Sequence, residues 1–239
     1  MKTRYFAIAI LLSGAAILGL SSCFMNCVHG SGNEKTENRK VDDFTRIDIS
    51  GGFKVILKQD SSLALKITAD DNLLKYIKTT VNGGRLHIYT RRSVCNNVEM
   101  TIYIGVRHLE ELKASGGIDV EGDGRITTQD MHFRLAGATK VTMDLDAANV
   151  TTSGSGSTEL NLKGQASSHD IDLSGSGKVN ALDFVVGNCE IHTAGVGESN
   201  VNVLHSLNIH STGASDVKYR GNPSITDDKT GASFVEKVN

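Results

Sequence analysis

Tryptophan is absent, proline occurs once and aromatic residues make up 5% of the 239-residue chain. So few flat rings disfavour a stacking platform for sugars or bases. The formal net charge is −2 with both signs interspersed, and no basic cluster occurs beyond Arg91-Arg92, which speaks against nucleic acid as a partner. No CxxC or HxxxH spacing occurs, so no metal and no cofactor are expected. What is abundant is glycine, 25 residues of it, and with almost no proline that composition fits turn-rich β structure.

The glycines are ordered. From Lys113 onward a small residue followed by glycine recurs as Ser115-Gly116, Ala136-Gly137, Ser153-Gly154, Ser174-Gly175, Ala194-Gly195, Thr212-Gly213 and Thr230-Gly231. By subtraction these glycines lie 21, 17, 21, 20, 18 and 18 residues apart, a period in the range that marks a solenoid. Four residues before each stand Leu112, Phe133, Val150, Ile171, Ile191, Ile209 and Asp227. After each glycine an alternating run returns, such as Val141, Met143 and Leu145, or Val201 and Val203. Alternation with period two is the strand signature, so each copy reads as strand, glycine turn, strand, turn. About 20 residues of that kind form one coil of a β-solenoid whose neighbours stack about 4.8 Å apart.

Several rival readings fail on their own requirements. A flexible linker would not hold Gly154, Gly156, Gly175 and Gly177 at fixed places inside an apolar alternation. Gly175-Ser176-Gly177-Lys178 resembles a phosphate loop, but Val179 stands where Ser or Thr must follow the lysine and Asp172 replaces the first glycine. A left-handed hexapeptide solenoid needs an aliphatic residue every sixth position, and Gly177, Asp183 and Cys189 break that rule when counting from Ile171. Calcium-binding nonapeptide repeats find one partial echo, at Gly116-Gly117-Ile118-Asp119.

The N-terminus carries an address. Lys2 and Arg4 precede an apolar run from Tyr5 to Leu20, interrupted by Ser13 and Gly14, and the run ends in Leu20-Ser21-Ser22-Cys23. This is a secretory signal with a lipobox, too short to span a membrane as a helix, which makes Cys23 the lipidated first residue of the mature chain. The expected organisation is a lipoprotein signal peptide over 1–22, a lipidated cysteine and polar tether over 23–40, an N-terminal β-rich capping region over 41–112 and glycine-rich β-helix repeats over 113–239. Within the capping region, strands are expected around Phe44, Ile47 and Ile49, around Phe53, Val55 and Leu57, and around Leu63, Leu65 and Ile67. Asp70 or Asp71 caps a short helix through Leu73, Leu74 and Ile77, and Asn82-Gly83-Gly84 turns a hairpin into Leu86 and Ile88. Of the remaining cysteines, Cys27 and Cys95 can pair in an oxidising compartment, while Cys189 shares a column with Met131, Leu207 and Ile225 and reads as a buried small hydrophobe.

Taken together, the order of these features resembles the bacterial head-GIN-domain family of auto-transporter adhesins. The resemblance rests on Gly30-Ser31-Gly32-Asn33 after the cysteine, Phe44 with Ile47-Asp48-Ile49-Ser50-Gly51-Gly52, Asn72-Leu73-Leu74 to Ile77, the repeated glycine turns, and Tyr219-Arg220-Gly221-Asn222-Pro223. It implies an all-β fold, a right-handed parallel β-helix of about seven coils preceded by a β-rich region with one short helix. It also implies a role in adhesion or surface binding, and supplies no catalytic residue.

Chemistry is sought in the outward columns. Three residues before each glycine lie Lys113, Arg134, Thr151, Asp172, His192, His210 and Asp228. Asp170, Asp172, Glu190 and His192, with His210 above them, come nearest to a site, because hydrolases need a carboxylate pair and lyases need clustered carboxylates with a basic residue. The expected function is a lipid-anchored, non-enzymatic, adhesin-like surface-binding module of the cell envelope, in the outer membrane. Its partners are the membrane through Cys23 and a glycan or an envelope or host surface protein. The alternative is a carbohydrate-active enzyme of pectin-lyase-like architecture. The coil at Thr230 to Val238, with Phe234 and Val235, presents an open edge, for which either a homodimer through that end or a cap formed by the tail is expected.

Overall fold

The computed structural model describes residues 27–95 and 98–239, apart from the side chain of Lys229. The signal peptide expected over 1–22 and the expected lipidation site Cys23 therefore lie outside the described residues.

The fold is all-β with one short helix, built on a mixed sheet. The strands are β1 (Glu34–Arg39), β2 (Arg46–Gln59), β3 (Leu65–Asp70), β4 (Ile77–Asn82), β5 (Arg85–Thr90), β6 (Thr101–Val106), β7 (Glu111–Ser211), β8 (Ala214–Arg220), β9 (Ser224–Lys229) and β10 (Ala232–Lys237). The helix α1 spans Asp71–Leu74.

β7 is 101 residues of extended chain. Such a length stays within one core only by folding back on itself, and it does so at an interval near 19 residues. Asn180 donates to Asn161 at 2.8 Å, Asn200 donates to Asn180 at 3.0 Å, and Ser168 donates to Asn149 at 2.9 Å. After β7 the parallel register continues, with Val196 opposite Ala214 in β8 and Ala214 opposite Ala232 in β10.

Glycine sets the contact between successive passes. A Cβ on Gly137 would meet the backbone of Gly116, and the same relation joins Gly156 to Gly137, Gly175 to Gly156, Gly195 to Gly175, Gly213 to Gly195 and Gly231 to Gly213. Gly116, Gly137, Gly156, Gly175 and Gly195 also carry positive φ, from 79° to 141°. Only glycine meets both demands without strain.

Two features of the glycine column differ from expectation. In the third unit the stacked glycine is Gly156, and Gly154 points inward, where a Cβ would lie 2.7 Å from the Thr158 hydroxyl and 2.9 Å from Leu173 Cδ2. The two glycines of Ser153-Gly154-Ser155-Gly156 are two residues apart, so either preserves the alternation, and packing against Leu173 decides between them. The column also begins earlier than Lys113. β2 lies parallel to the start of β7 with Ile47 opposite Leu112, Gly51 opposite Gly116 and Val55 opposite Val120. On its other side β2 pairs with β5 through Arg46–Ser50 and with β6 through Lys54–Gln59. The antiparallel strands β1, β3 and β4 lie outside these, so the N-terminal region does cover the leading end of the sheet.

Inward residues at alternate positions form one core, including Phe44, Ile47, Leu112, Phe133, Ile171, Phe184, Ile191 and Ile209. Each such side chain contributes about 1.5–3 kcal/mol on leaving water. Gly83 and Gly84, at φ 55° and 71°, turn β4 into β5 as anticipated. The helix is not capped by a side chain. Asp70 instead accepts from the Gly32 amide at 3.0 Å and Asp71 from the Ser31 hydroxyl at 2.6 Å, tying the N-terminal segment down. A disulfide joins Cys27 to Cys95, and Cys189 is free and buried, its thiol pushed up to about 12 by burial. At the trailing end β10 pairs on one side only among the described residues, and Phe234 is 72% exposed. There Asp227, exposed, stands in register opposite Ile209, and a charge on an edge strand discourages further strand addition.

His169 is fully enclosed, shares a 2.9 Å hydrogen bond with the Thr152 hydroxyl and meets Phe184 edge-on at 5.9 Å. Burial lowers its pKa to about 3, so the unfolded chain binds the extra proton between about pH 6.5 and 3. Stability contributed by the neutral ring is thus present above the unfolded value and lost as pH falls toward 3, at about 1.4 kcal/mol per pH unit.

Two predictions follow from this packing. Gly116→Ala, which drives a methyl into the Gly51 carbonyl at a φ of 109°, lowers unfolding stability by about 2–3 kcal/mol. Gly117→Ala, with nothing near the added methyl, is close to neutral in the same urea titrations. His169→Gln removes about 2 kcal/mol of the stability difference between pH 7 and pH 5. An unchanged pH slope would contradict the buried-ring assignment.

Candidate binding face

The backbone of β7 presents alternate residues outward, and the glycine register decides which of them share a column. Counting three back from each stacked glycine gives Asp48, Lys113, Arg134, Ser153, Asp172, His192, His210 and Asp228. Thr151, expected in this column, is displaced by Ser153 because Gly156 rather than Gly154 is stacked. Asp48 joins the column at its leading end.

The column has two electrostatic halves. At the leading end Lys113 reaches Asp48 at 3.0 Å, and Arg134 lies 3.7 Å from Glu111, which is itself clasped by Arg85 at 2.6 and 3.1 Å. The Arg85 hydrogen bond holds the Glu111 carboxyl below its usual range. Beyond Ser153 the character reverses. Glu190 Oε1 lies 2.9 Å from His192 Nε2, the His192 and His210 rings stack at 4.9 Å with 12° between planes, and His210 Nδ1 is 3.9 Å from Asp228. Asp170 lies close enough to feel the others. Partial burial and then the Glu190 carboxylate raise its pKa, His192 opposes that shift, and Asp172 adds to it.

The structure thus brings together Asp170, Asp172, Glu190 and His192, with His210 stacked on His192. Asp170, Asp172 and Glu190 are exposed, and the two histidines are half-buried. A shallow groove of about 230 Å³ runs alongside, lined in part by Lys113, Arg134, Ser153, Ser155, Asp172 and Ser174. Carboxyls, hydroxyls and imidazoles in a rigid row can donate to and accept from a polar ligand laid across several passes of the chain.

Two parts of this neighbourhood went unread in the sequence. His169, behind Asp170, was legible from the inward alternation of Ile171 and Leu173. The second is a set of side-chain ladders. Asn161, Asn180 and Asn200 are bonded in series and flanked by Glu159 and Glu198 at 3.0 Å, and Asn149 donates to Asp130 at 2.8 Å. Their signal was the recurrence of Asn at 19- and 20-residue intervals.

The family described as putative auto-transporter adhesin, head GIN domain, matches residues 43–223. No curated protein matches the chain. Among solved structures, a putative adhesin from Bacteroides fragilis superposes with a TM-score of 0.84 at 23% identity, covering 88% of this chain and 100% of that one. A putative lipid binding protein from Parabacteroides distasonis gives 0.69 at 22% identity, over 90% of this chain and 100% of the other. A putative adhesin from Parabacteroides merdae gives 0.63 at 20% identity, over 89% and 99%. At these identities the likeness is one of fold. The family match covers most of the length, and the chain belongs to this head-GIN-domain family.

Proposed function

We propose that this protein is a lipid-anchored, non-enzymatic binding module of the cell envelope, held at the outer membrane by a lipid on Cys23. In this reading the repeat from residue 113 onward winds as a right-handed parallel β-helix of about seven coils. The observation that carries the function is the unbroken outward column through Asp172, His192 and His210, with Asp170 and Glu190 beside it. A fixed row of polar groups suits a ligand that repeats, such as a glycan, because weak contacts add along its length. Neighbouring ladders hold the row rigid, which reduces the ordering cost of binding.

The competing reading is a carbohydrate-active enzyme of pectin-lyase-like architecture. Its lyase form requires a basic residue beside the carboxylates, and the two cations of this column are paired elsewhere, Lys113 with Asp48 and Arg134 with Glu111. That arrangement supports binding over chemistry.

The test is a glycan-array screen of the purified protein, run with an assay for unsaturated or reducing sugar products. The expected result is saturable binding without product. Asp170→Asn/His192→Ala/His210→Ala then weakens the strongest interaction by at least about tenfold, equivalent to about 1.4 kcal/mol. Product release would overturn the non-enzymatic reading, and wild-type affinity in the triple variant would remove this face from the account.

A further inference from the structure

Most exposed cations along β7 have an acidic neighbour, as in Lys140 with Glu159, Lys163 with Asp144 and Lys178 with Glu198. The leading end differs. Lys75, directly after α1, and Arg91 and Arg92, directly after β5, are exposed, and among the described residues none of the three has a carboxylate within 4.0 Å. They gather around Tyr76. Lys75 Nζ lies 5.0 Å and Arg92 Cζ 5.5 Å from its ring centroid, and the Arg91 amide donates to the Tyr76 carbonyl at 3.0 Å. Asp70, at the end of β3, and Asp71, in α1, are held by the Gly32 amide and the Ser31 hydroxyl, and the three cations outnumber these two carboxylates.

The position of this patch gives it meaning. Ser93, Val94 and Cys95 follow Arg92 in sequence and clamp the start of the described chain. Val28 donates to Ser93 at 2.8 Å and accepts from Cys95 at 3.0 Å, and Cys95 is bonded to Cys27. Cys23 precedes Cys27 by four residues, a span of at most about 14 Å when fully extended. A lipid on Cys23 therefore holds the bilayer within reach of this end. Three unpaired cations around a tyrosine, brought against a surface, match an anionic headgroup layer in charge and in the interfacial preference of the ring.

We propose that Lys75, Arg91, Arg92 and Tyr76 form a second membrane contact that rests on anionic lipid headgroups and seats the leading end of the fold on the bilayer. The trailing end then faces away. This inference rests on the lipid anchor proposed above, since that anchor brings the patch to the surface. Several acyl chains on one lipobox cysteine anchor the chain by themselves, so the patch adds a preference for anionic headgroups and an orientation rather than the attachment itself.

The experiment uses the purified full chain, with the mass of its mature N-terminus reporting lipid on Cys23. Partition is measured into vesicles of phosphatidylcholine alone and of phosphatidylcholine with about a fifth phosphatidylglycerol. The wild type is expected to favour the anionic vesicles by roughly tenfold to a hundredfold at low salt, a preference that largely disappears near 0.5 M salt as charges are screened. Lys75→Gln/Arg91→Gln/Arg92→Gln, with an unchanged circular dichroism spectrum, is expected to bind both vesicles alike. A wild type indifferent to phosphatidylglycerol, or a triple variant that keeps the preference, overturns the proposal. An unlipidated Cys23 overturns the anchor instead, and the patch is then judged on the vesicle ratio alone.

Discussion

The structure depends on one close approach, glycine backbone against glycine backbone from one pass of the chain to the next. At Gly175 an added Cβ would sit 2.9 Å from the Gly156 amide nitrogen, and at Gly195 it would sit 2.6 Å from the Gly175 carbonyl oxygen. No side chain fits there, so each pass must present glycine at the same corner. That requirement fixes the register of everything on either side. Two residues inward of the corner the space is shared, and Leu173 fills volume left by Gly154, Gly177 and Gly197. Bulk on one level is matched by glycine on its neighbours, which is how the core stays close-packed while the sequence varies.

Outside the corner, the same register turns sequence into columns. Three residues beyond the stacked glycines stand Lys54, Asp119, Lys140, Glu159, Lys178, Glu198, Asp216 and Phe234. Sign alternates through most of that series, and two of the neighbours close at 3.6 Å and 2.9 Å. Exposed pairs of this kind contribute only about 0.2–1 kcal/mol each. Their larger effect is on specificity, because sliding one pass by a residue would turn these charges into the core and the core into water. The column through Asp172, His192 and His210 breaks that pattern by setting like groups side by side. Stacked imidazoles and crowded carboxylates add little to folding, which is why the face reads as a place for a partner.

The sequence carried the architecture well because glycine spacing and alternation are direct consequences of stacking. The all-β class, the single short helix, the β4–β5 hairpin and the buried Cys189 were all readable in that way. The Cys27–Cys95 pairing was open on sequence grounds, since proximity across 68 residues depends on the tertiary fold. The leading glycine, Gly51, was hidden because it stands 65 positions before Gly116 with other strands between, although Ser50-Gly51-Gly52 repeats Ser115-Gly116-Gly117 letter for letter. The choice of Gly154 over Gly156 failed because period two cannot distinguish positions two apart. That slip moved Thr151 into the outward column in place of Ser153. Asp170, Asp172, Glu190, His192 and His210 lie beyond it, in units whose glycines are those of the stacked column, so the slip does not move them.

The account stands on residues of β7 about 19 apart being neighbours in adjacent passes. Asn149 and Ser168, exposed and hydrogen-bonded at 2.9 Å, provide the most direct test. Replacing both by cysteine and oxidising mildly is predicted to form a bridge, because neighbouring in-register strands bring Cα atoms within the 4.4–6.8 Å that a disulfide spans. The control replaces Asn149 and Asp170, two residues out of register, and is predicted not to close. Bridging in the control with none between 149 and 168 would contradict the register on which both the fold and the proposed binding face are built.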